Sequence, residues 1–485
     1  MSRQVHSVML STCLTLSDKT PLEHQLVDQI RNLVLHGRLQ PGARLPSGRQ
    51  LASELAISRN TVVAAYRKLQ SRNYIVSQIG VGTFVANARG SSPGQQDAKV
   101  TTTAFSTPAP VAVVPEEPGF RIGQAFEIDV PAIDVFPLKA WARLAVNRCS
   151  RTLKELLHSA DPAGYLPFRT TISEHVRETR GIACWADQVV VSSGQGQAIS
   201  LAARTLVEPG DIVLIEDPTR LGIRSILRNA GAKLVDVPVD EKGFDLSAVG
   251  ETAERAKIAI VTPTSHFPLG IKLSAGRRAA LGAWARAREG RWIMEDDTGH
   301  DLMPNASWSA PLWSLAPGRV IYFSSFRPTI APSLRLGFMV VPHEILGQIL
   351  QARLLSDGYR APLEQAILND FMVSGLYAQH IRTMQQTYGE RHEALSASLW
   401  QEMPDRVQAG PSNAGLHTIC RLCSPLIDAR IEQDLRGKIL VRSLSGFYSR
   451  PTLANALLLG HSQINPRQIA RSVRDLANAV PKAVQ

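Results

Sequence analysis

Residues 46–72, PSGRQLASELAISRNTVVAAYRKLQSR, predict two short helices joined by a tight turn. Ser47 and Ser58 each stand where a side-chain oxygen can cap the first turn of a helix. Apolar residues follow at helical spacing, at Leu51, Leu55, Val62, Tyr66 and Leu69. Two such helices are typical of the helix-turn-helix, whose second helix presents its N-terminal residues to base edges in the major groove.

The flanking segments extend this motif to a small winged domain. Residues 21–37, PLEHQLVDQIRNLVLHG, predict a preceding helix that ends at Gly37. Its expected buried stripe is Leu22, Leu26, Ile30, Leu33 and Leu35. Residues 74–86, YIVSQIGVGTFVA, predict two short strands about Gly80 and Gly82, a wing whose backbone can approach the sugar-phosphate rail.

The charge of the chain is concentrated in this N-terminal piece. Residues 1–90 carry 11 Lys and Arg against 4 Asp and Glu, a net charge of +7 out of the total of +11. The other 395 residues carry 42 against 38, a net of +4. A concentrated basic excess indicates a polyanion partner, although charge alone also fits a merely basic surface.

Length and composition bound the remaining possibilities. A chain of 485 residues with 44% hydrophobic residues is expected to form two or three globular domains. Five cysteines without regular spacing favour the reducing cytoplasm over a disulfide scaffold, and no apolar run approaches the roughly 18 residues of a membrane span. Cys420 and Cys423 have zinc-ligand spacing but lack a second pair, so the sequence predicts no metal site.

Beyond a Pro-, Ser- and Thr-rich linker at 87–119, short β-branched runs alternate with helical patterns. Six runs predict buried strands: QVVVSSG, DIVLIED, KLVDVPVD, KIAIVTP, RWIMEDD and VIYFSSF. This alternation predicts an α/β domain with a mostly parallel sheet and a site in the loops at the carboxyl ends of its strands.

Residues 39–85 closely resemble the GntR family of winged helix-turn-helix regulators, which bind double-stranded DNA operators. The resemblance implies DNA contacts at five positions: Arg49, Arg59, Asn60, Thr61 and Gly80. Arg44, Arg67 and Lys68 fit either phosphate contacts or solvated surface charges.

The body resembles the fold-type I aminotransferases, which bind pyridoxal 5'-phosphate. The resemblance lies in DPAGYLPFRTTISEHV, VSSGQGQAISLAARTLVEPGD, VTPTSHFPLG, EDDTGHD and SSFRPTIAPSLRLGF. A GntR head on such a body is typical of the MocR/GabR regulators. The implied domains are a DNA-binding head at 1–86, a flexible linker at 87–119 and an aminotransferase-like domain at 120–485.

Several cofactor-binding positions of that family are retained. Ser193, Gly194 and Gln195 would open a helix whose N–H groups favour an anion. Ser325 and Arg335 match the hydroxyl and guanidinium that complete the family's phosphate cup, and Asp296 matches the carboxylate that pairs with the pyridinium nitrogen.

Other positions have lost the family's chemistry. The Schiff-base lysine is replaced by Pro328, which has no amine, and Arg327 precedes it. Thr298 stands in place of the tyrosine that hydrogen-bonds the ring oxygen. His266 and His300 lie on nearby loops and are alternative bases, although a lone loop histidine is more often a packing residue.

These patterns predict a cytoplasmic, DNA-binding transcriptional regulator with no catalytic residue of the family's usual kind. Its body is expected to dimerise head to tail and to sense an anionic small molecule, or to serve only as a scaffold. Covalent binding of pyridoxal phosphate is not expected, while non-covalent binding stays open. The alternative is an enzyme, either an aminotransferase or a lysine-less pyridoxal-phosphate enzyme.

Overall fold

The computed structural model describes residues 20–78, 81–86, 125–151, 161–303, 309–410, 416–423, 428–437 and 439–480, together with Leu10, Leu14, Leu16, Lys154 and Leu156. The chain divides into two compact units, Met1–Thr107 and Pro108–Gln485. No helix among these described residues is long and apolar enough to cross a membrane. The predicted linker at 87–119 lies outside the described residues, so its bounds stay predictions.

The described residues from 20 to 86 form three helices and a three-stranded antiparallel sheet. The helices are α1 (Leu22–Leu35), α2 (Gly48–Glu54) and α3 (Arg59–Ser71), and the strands are β1 (Arg44–Leu45), β2 (Ile75–Gln78) and β3 (Gly82–Val85), in the order β1-β3-β2. Leu26, Ile30, Leu51, Val62 and Leu69 are completely buried between the helices. This arrangement confirms the predicted winged helix-turn-helix.

One expected core residue of α1 is exposed. Leu35 has 63% of its surface accessible, whereas Val27, which was not expected in the stripe, is buried. The reason is geometric, since nine positions at about 100° each place Leu35 half a turn away from Leu26.

The second unit is built on an eight-stranded mixed sheet. Its strands are β4 (Val189–Ser192), β5 (Ile212–Asp217), β6 (Lys233–Asp240), β7 (Gly243–Phe244), β8 (Ile258–Val261), β9 (Trp292–Asp296), β10 (Val320–Ser325) and β11 (Gly337–Val340), in the order β4-β11-β10-β9-β8-β5-β6-β7. The run from β10 to β6 is parallel, whereas β11 pairs antiparallel with both of its neighbours and β7 pairs antiparallel with β6. All six predicted strands form, but β6 is mostly half-buried or exposed rather than buried, and β7 and β11 were not predicted.

Helices precede the first strand and separate most of the later ones along the chain. They are α4 (Leu138–Arg151), α5 (Leu166–Arg180), α6 (Gln195–Leu206), α7 (Leu221–Asn229), α8 (Glu251–Arg255), α9 (Ala275–Arg286), α10 (Leu312–Leu315), α11 (His343–Ser356), α12 (Pro362–Val373) and α13 (Leu376–Glu402). Val189 and Val191 belong to one apolar cluster and Val190 to another. Such alternation shows that both faces of the strand are covered, which is why these strands are apolar throughout.

A smaller sheet completes the body. It contains β12 (Val407–Ala409), β13 (His417–Leu422), β14 (Arg442–Ser443) and β15 (Ala456–Gly460), in the order β12-β13-β15-β14 and antiparallel, with α14 (Asp428–Leu435) and α15 (Pro466–Ala479). Leu457 and Leu459 of β15 share a buried cluster with Leu395 and Leu399 of α13. The carboxyl ends of β5, β8, β9 and β10 lie at one edge of the large sheet, where open α/β sheets place their ligands.

Candidate functional site

The N-terminus of α3 is capped and exposed, as a DNA-reading surface requires. Ser58 Oγ accepts a hydrogen bond from the Asn60 N–H at 3.2 Å, and Ser47 Oγ caps α2 in the same way. The side chains of Arg59 and Asn60 are exposed, and Thr61 is half-buried. Both predicted caps are confirmed, and these residues form a contiguous polar surface at the start of the recognition helix.

The orientation of α3 is fixed by contacts to the start of α2. The hydroxyl of Tyr66 donates to the carbonyl oxygen of Pro46 at 2.9 Å. A Cβ on Gly48 would stand 3.5 Å from the Val63 side chain, so the two helices approach closely at this point. Arg49, the second residue of α2, is exposed. The wing residue Gly80 lies outside the described residues.

Two of the three basic residues left open by the sequence have partners within the head. Arg44 Nη2 donates to the carbonyl oxygen of Val81 at 2.8 Å, which braces the wing. Lys68 Nζ lies 2.9 Å from a carboxylate oxygen of Glu23 on α1. Both side chains therefore have a structural role, while Arg67 is exposed on α3.

In the body, the predicted cup residues meet where α6, β10 and β11 come together. Gly194 has φ 103° just before α6, a conformation that favours glycine. A Cβ on Gly337 would stand 2.8 Å from the Gly194 Cα, so no side chain fits between β11 and the start of α6. A Cβ on Gly194 would lie 3.5 Å from Ser325 Oγ, which places that hydroxyl at the helix N-terminus.

Arg360 is a second cation at this cup that sequence reasoning missed. Its Nη1 donates to Ser193 Oγ at 2.9 Å, and its Nη2 donates to the carbonyl oxygens of Leu334 and Arg335 at 3.0 and 2.6 Å. Burial and the nearby Arg335 guanidinium lower the pKa of Arg360, although Glu364 opposes this shift. Two neighbouring cations at a helix N-terminus make a site that favours an anion.

At the opposite end of the predicted cofactor site, Asp296 already has partners from the chain. Its Oδ2 accepts a hydrogen bond from the Gln195 side chain, and its Oδ1 accepts one from the Thr298 N–H at 3.0 Å. Asp296 is buried, and this burial raises the pKa of its carboxyl group. Gln195 therefore connects the cup to the predicted pyridine-binding carboxylate through its own side chain.

The loop around Pro328 encloses only a small cavity. Pro328 is buried and lines a space of about 60 Å³ together with Arg220, Phe267 and Thr298. The Arg220 guanidinium lies 3.6 Å from the centre of the Phe267 ring and pairs with both carboxylate oxygens of Asp129. Burial would raise the pKa of Asp129, but the Arg220 guanidinium outweighs it and holds that pKa below its usual range.

His266 and Glu216 form a buried pair in the same region. His266 Nε2 lies 3.6 Å from a carboxylate oxygen of Glu216. Burial lowers the pKa of His266 to about 3 and raises the pKa of Glu216 to about 8. Both groups are therefore held in their neutral forms, and Thr262 donates two hydrogen bonds of 2.9 Å to the carboxyl oxygens.

These residues fit one end of pyridoxal phosphate and not the other. Ser193 and Ser325 lie at a helix N-terminus beside the Arg360 guanidinium, and this set suits a phosphate group. Ligand pockets usually measure about 300–1,000 Å³, which the 60 Å³ cavity beside Pro328 does not approach. The cavity beside Pro328 is therefore too small for the ring of the cofactor.

Comparison with known proteins places the chain in a family. Residues 22–85 match the model of the bacterial regulatory proteins of the gntR family, and residues 132–453 match aminotransferase class I and II. The chain is 30% identical over 467 residues to the probable rhizopine catabolism regulatory protein MocR of Rhizobium meliloti, covering 95% of this chain and 94% of MocR. The chain belongs to the MocR family of transcriptional regulators.

Other similar proteins agree with this assignment. The pyridoxine biosynthesis transcriptional regulator PdxR of Corynebacterium glutamicum is 28% identical, over 97% of this chain and 98% of PdxR. Among solved structures, the α-aminoadipate aminotransferase LysN of Thermus thermophilus, crystallised with N-(5'-phosphopyridoxyl)-L-leucine, matches with a TM-score of 0.66. That match covers 73% of this chain and 91% of LysN at 24% identity, which shows the aminotransferase fold. Proteins of this fold typically bind pyridoxal phosphate, and GntR-type heads bind DNA.

Proposed function

We propose that this MocR-family regulator recognises its operator with the N-terminus of α3 and senses a small anion with a body that does not catalyse transamination. The observation that carries the proposal is the pairing of an intact anion cup with a closed ring site. Arg335, Arg360 and Ser193 remain where an anion would bind. Pro328 and the Arg220–Asp129 pair fill the region where chemistry would occur.

The surroundings of Pro328 support the loss of transamination. Proline offers no amine for an aldimine, and transamination also requires a base near the substrate's α-proton. His266 lines the same cavity, but a pKa of about 3 makes it a weak base at neutral pH. His300 lines a different and larger cavity, so it is not placed to act beside Pro328.

The proposed mode of DNA binding is dimeric. Dimers of helix-turn-helix proteins place two recognition helices on two half-sites about one helical turn apart. We propose that the body supplies this dimer contact, with the head of one chain against the body of the other, in the cytoplasm where the operator lies. The anion would then act on the operator by changing the geometry or stability of the dimer.

Calorimetry on the full chain tests the cup. We expect inorganic phosphate, and pyridoxal phosphate through its phosphate group, to bind wild-type protein without covalent attachment. A charge-assisted hydrogen bond contributes about 1.5–3 kcal/mol, so Arg360→Gln should weaken binding about tenfold to hundredfold. Arg474→Gln removes the same charge from an exposed position on α15 and should leave affinity unchanged.

Two results would contradict the sensing proposal. The first is the absence of any heat and any thermal stabilisation with both anions, which would leave the body a scaffold. The second is equal affinity in Arg360→Gln and wild type, which would place any binding elsewhere.

A further inference from the structure

A second cavity in the body, separate from the anion cup, contains a cluster that no part of the proposed function uses. This cavity has a volume of about 720 Å³ and lies between α5, α13 and the turn that follows β9. His175, His300 and Asp301 are among the residues that line it. None of them is one of the cup residues.

The three side chains converge on one point. His175 Nε2 and His300 Nε2 each lie 3.0 Å from Asp301 Oδ1. All three ligand atoms fall within 4.8 Å of one another. In a tetrahedral zinc site with bonds of about 2.0–2.2 Å, ligand atoms stand about 3.3 Å apart, so small side-chain rotations suffice to admit an ion.

The imidazole of His300 has one nitrogen on the backbone and the other at the cluster. Its Nδ1 lies 3.0 Å from the backbone carbonyl oxygen of Asp297, which fixes the proton on Nδ1 in the neutral ring. The lone pair is then on Nε2, which is buried and has no hydrogen bond of acceptable geometry within the described part of the chain. Only 5% of the side chain of His300 is exposed, so this nitrogen faces the cluster and not bulk water.

The carboxylate of Asp301 is held by a neighbouring hydroxyl. Tyr377, at the start of α13, donates its hydroxyl to Asp301 Oδ2 at 2.6 Å. This bond leaves Oδ1 directed toward the two histidines. Hydrogen bonds that orient the ligands, here from Tyr377 and to the Asp297 carbonyl, are the usual outer support of protein metal sites.

The cavity supplies access and charge. Glu174 and Glu178 are exposed on α5, on either side of His175 in sequence, and both line the cavity. Arg180 and Arg382 also line the cavity, so its lining carries charges of both signs. The open side of the cluster leaves room for water or a small-molecule ligand at a fourth position.

We propose that His175, His300 and Asp301 bind a divalent transition-metal ion, Zn²⁺ by preference, with one coordination position open to the cavity. Two imidazoles and one carboxylate with an open position suit Zn²⁺ and other first-row ions better than Mg²⁺ or Ca²⁺, which prefer oxygen ligands. The sequence predicted no metal site because His175 stands 126 positions before Asp301, and the metal site proposed here replaces that expectation. It does not depend on the proposed anion sensing.

The test is Zn²⁺ titration of the tag-free full chain by calorimetry, with metal content measured after gel filtration. Wild type should bind one equivalent. His175→Gln and the near-isosteric Asp301→Asn should each weaken binding about a hundredfold. His343→Gln is the matched control, because His343 also contacts a carboxylate, that of Asp187 at 3.2 Å, but these two residues form a pair and not a three-residue cluster. The His343→Gln variant should bind Zn²⁺ as wild type does.

Cobalt spectroscopy keeps the test decisive if a variant fails to fold. Wild-type protein with one equivalent of Co²⁺ should show the visible absorption of a four-coordinate site, and excess Zn²⁺ should remove it. Absence of that band together with no Zn²⁺ binding would overturn the proposal. Equal Zn²⁺ affinity in folded His175→Gln, folded Asp301→Asn and wild type would overturn it as well.

Discussion

Removal of the Arg59 side chain should weaken operator binding without unfolding the head. Arg59 is the first residue of α3, and its side chain is exposed. The cap formed by Ser58 and the Asn60 N–H does not involve the Arg59 side chain, and alanine is the best helix former. A bidentate contact to a base contributes about 1–3 kcal/mol, so Arg59→Ala should raise the operator Kd about 5-fold to 150-fold.

The assay separates base recognition from simple charge loss. An operator is first selected by the wild-type chain from random duplexes, and fluorescence anisotropy then compares it with a scrambled duplex at several salt concentrations. If Arg59 contacts a base, Arg59→Ala loses far more affinity for the operator than for the scrambled duplex. If Arg59 contacts only phosphate, both affinities fall together and the salt slope decreases by about 0.9.

Arg72→Ala is the control for this experiment. Arg72 is exposed at the C-terminal cap of α3, about 20 Å from Arg59 at 1.5 Å per residue. The variant removes the same charge and should have a small effect that is independent of sequence. Operator affinity in Arg59→Ala equal to that of wild type, with both proteins folded, would refute the assignment of the α3 N-terminus as the reading surface.

Three stability predictions follow from buried contacts. Burial raises the pKa of Glu216 from 4.5 to about 8, so the folded state holds this proton more tightly than the unfolded chain and the free energy of unfolding falls as pH rises between these values. Glu216→Gln should remove at most about 5 kcal/mol of that fall. Identical denaturation profiles of the wild-type protein at pH 5 and pH 8 would contradict this prediction. Gly460→Ala would place a methyl group 1.8 Å from the carbonyl oxygen of Glu127 and should lower the free energy of unfolding in urea by at least about 3 kcal/mol. Gly389→Ala, in open space on α13, should instead raise it by up to about 1 kcal/mol. Equal urea midpoints for the two variants would contradict this prediction. Tyr66→Phe deletes the 2.9 Å bond to the carbonyl before α2 and should lower the stability of the head by about 1 kcal/mol, a loss that an unchanged thermal midpoint would exclude.

The features predicted well from the sequence are local ones. Ser47 and Ser58 were expected to cap helices, and both do, because a cap depends on a side chain and backbone groups two or three residues away. The six predicted strands were visible as β-branched runs because strand propensity is also local, but the burial predicted for β6 was wrong, since only Val237 of that strand is buried. The prediction that Leu35 is buried was wrong, because this position lies half a turn around the helix from Leu26.

The features that the sequence did not reveal depend on distant partners. Arg360 reaches Ser193 across 167 positions, and nothing in its own neighbourhood marks it as a cup residue. His175 and Asp301 are 126 positions apart, so no ligand spacing appears along the chain. The hydrogen bond from Gln195 to Asp296 also required the fold, because it joins the start of α6 to the end of β9.

The central claim is that the body binds an anion but forms no covalent bond to pyridoxal phosphate, and reductive trapping tests it most directly. The full chain is incubated with pyridoxal phosphate, reduced with borohydride and analysed by intact mass and peptide mapping. Pro328→Lys, which restores an amine at the predicted position, serves as the positive control. The account predicts no stoichiometric adduct on the wild-type chain, and one adduct per chain mapped to any of its lysines would contradict it.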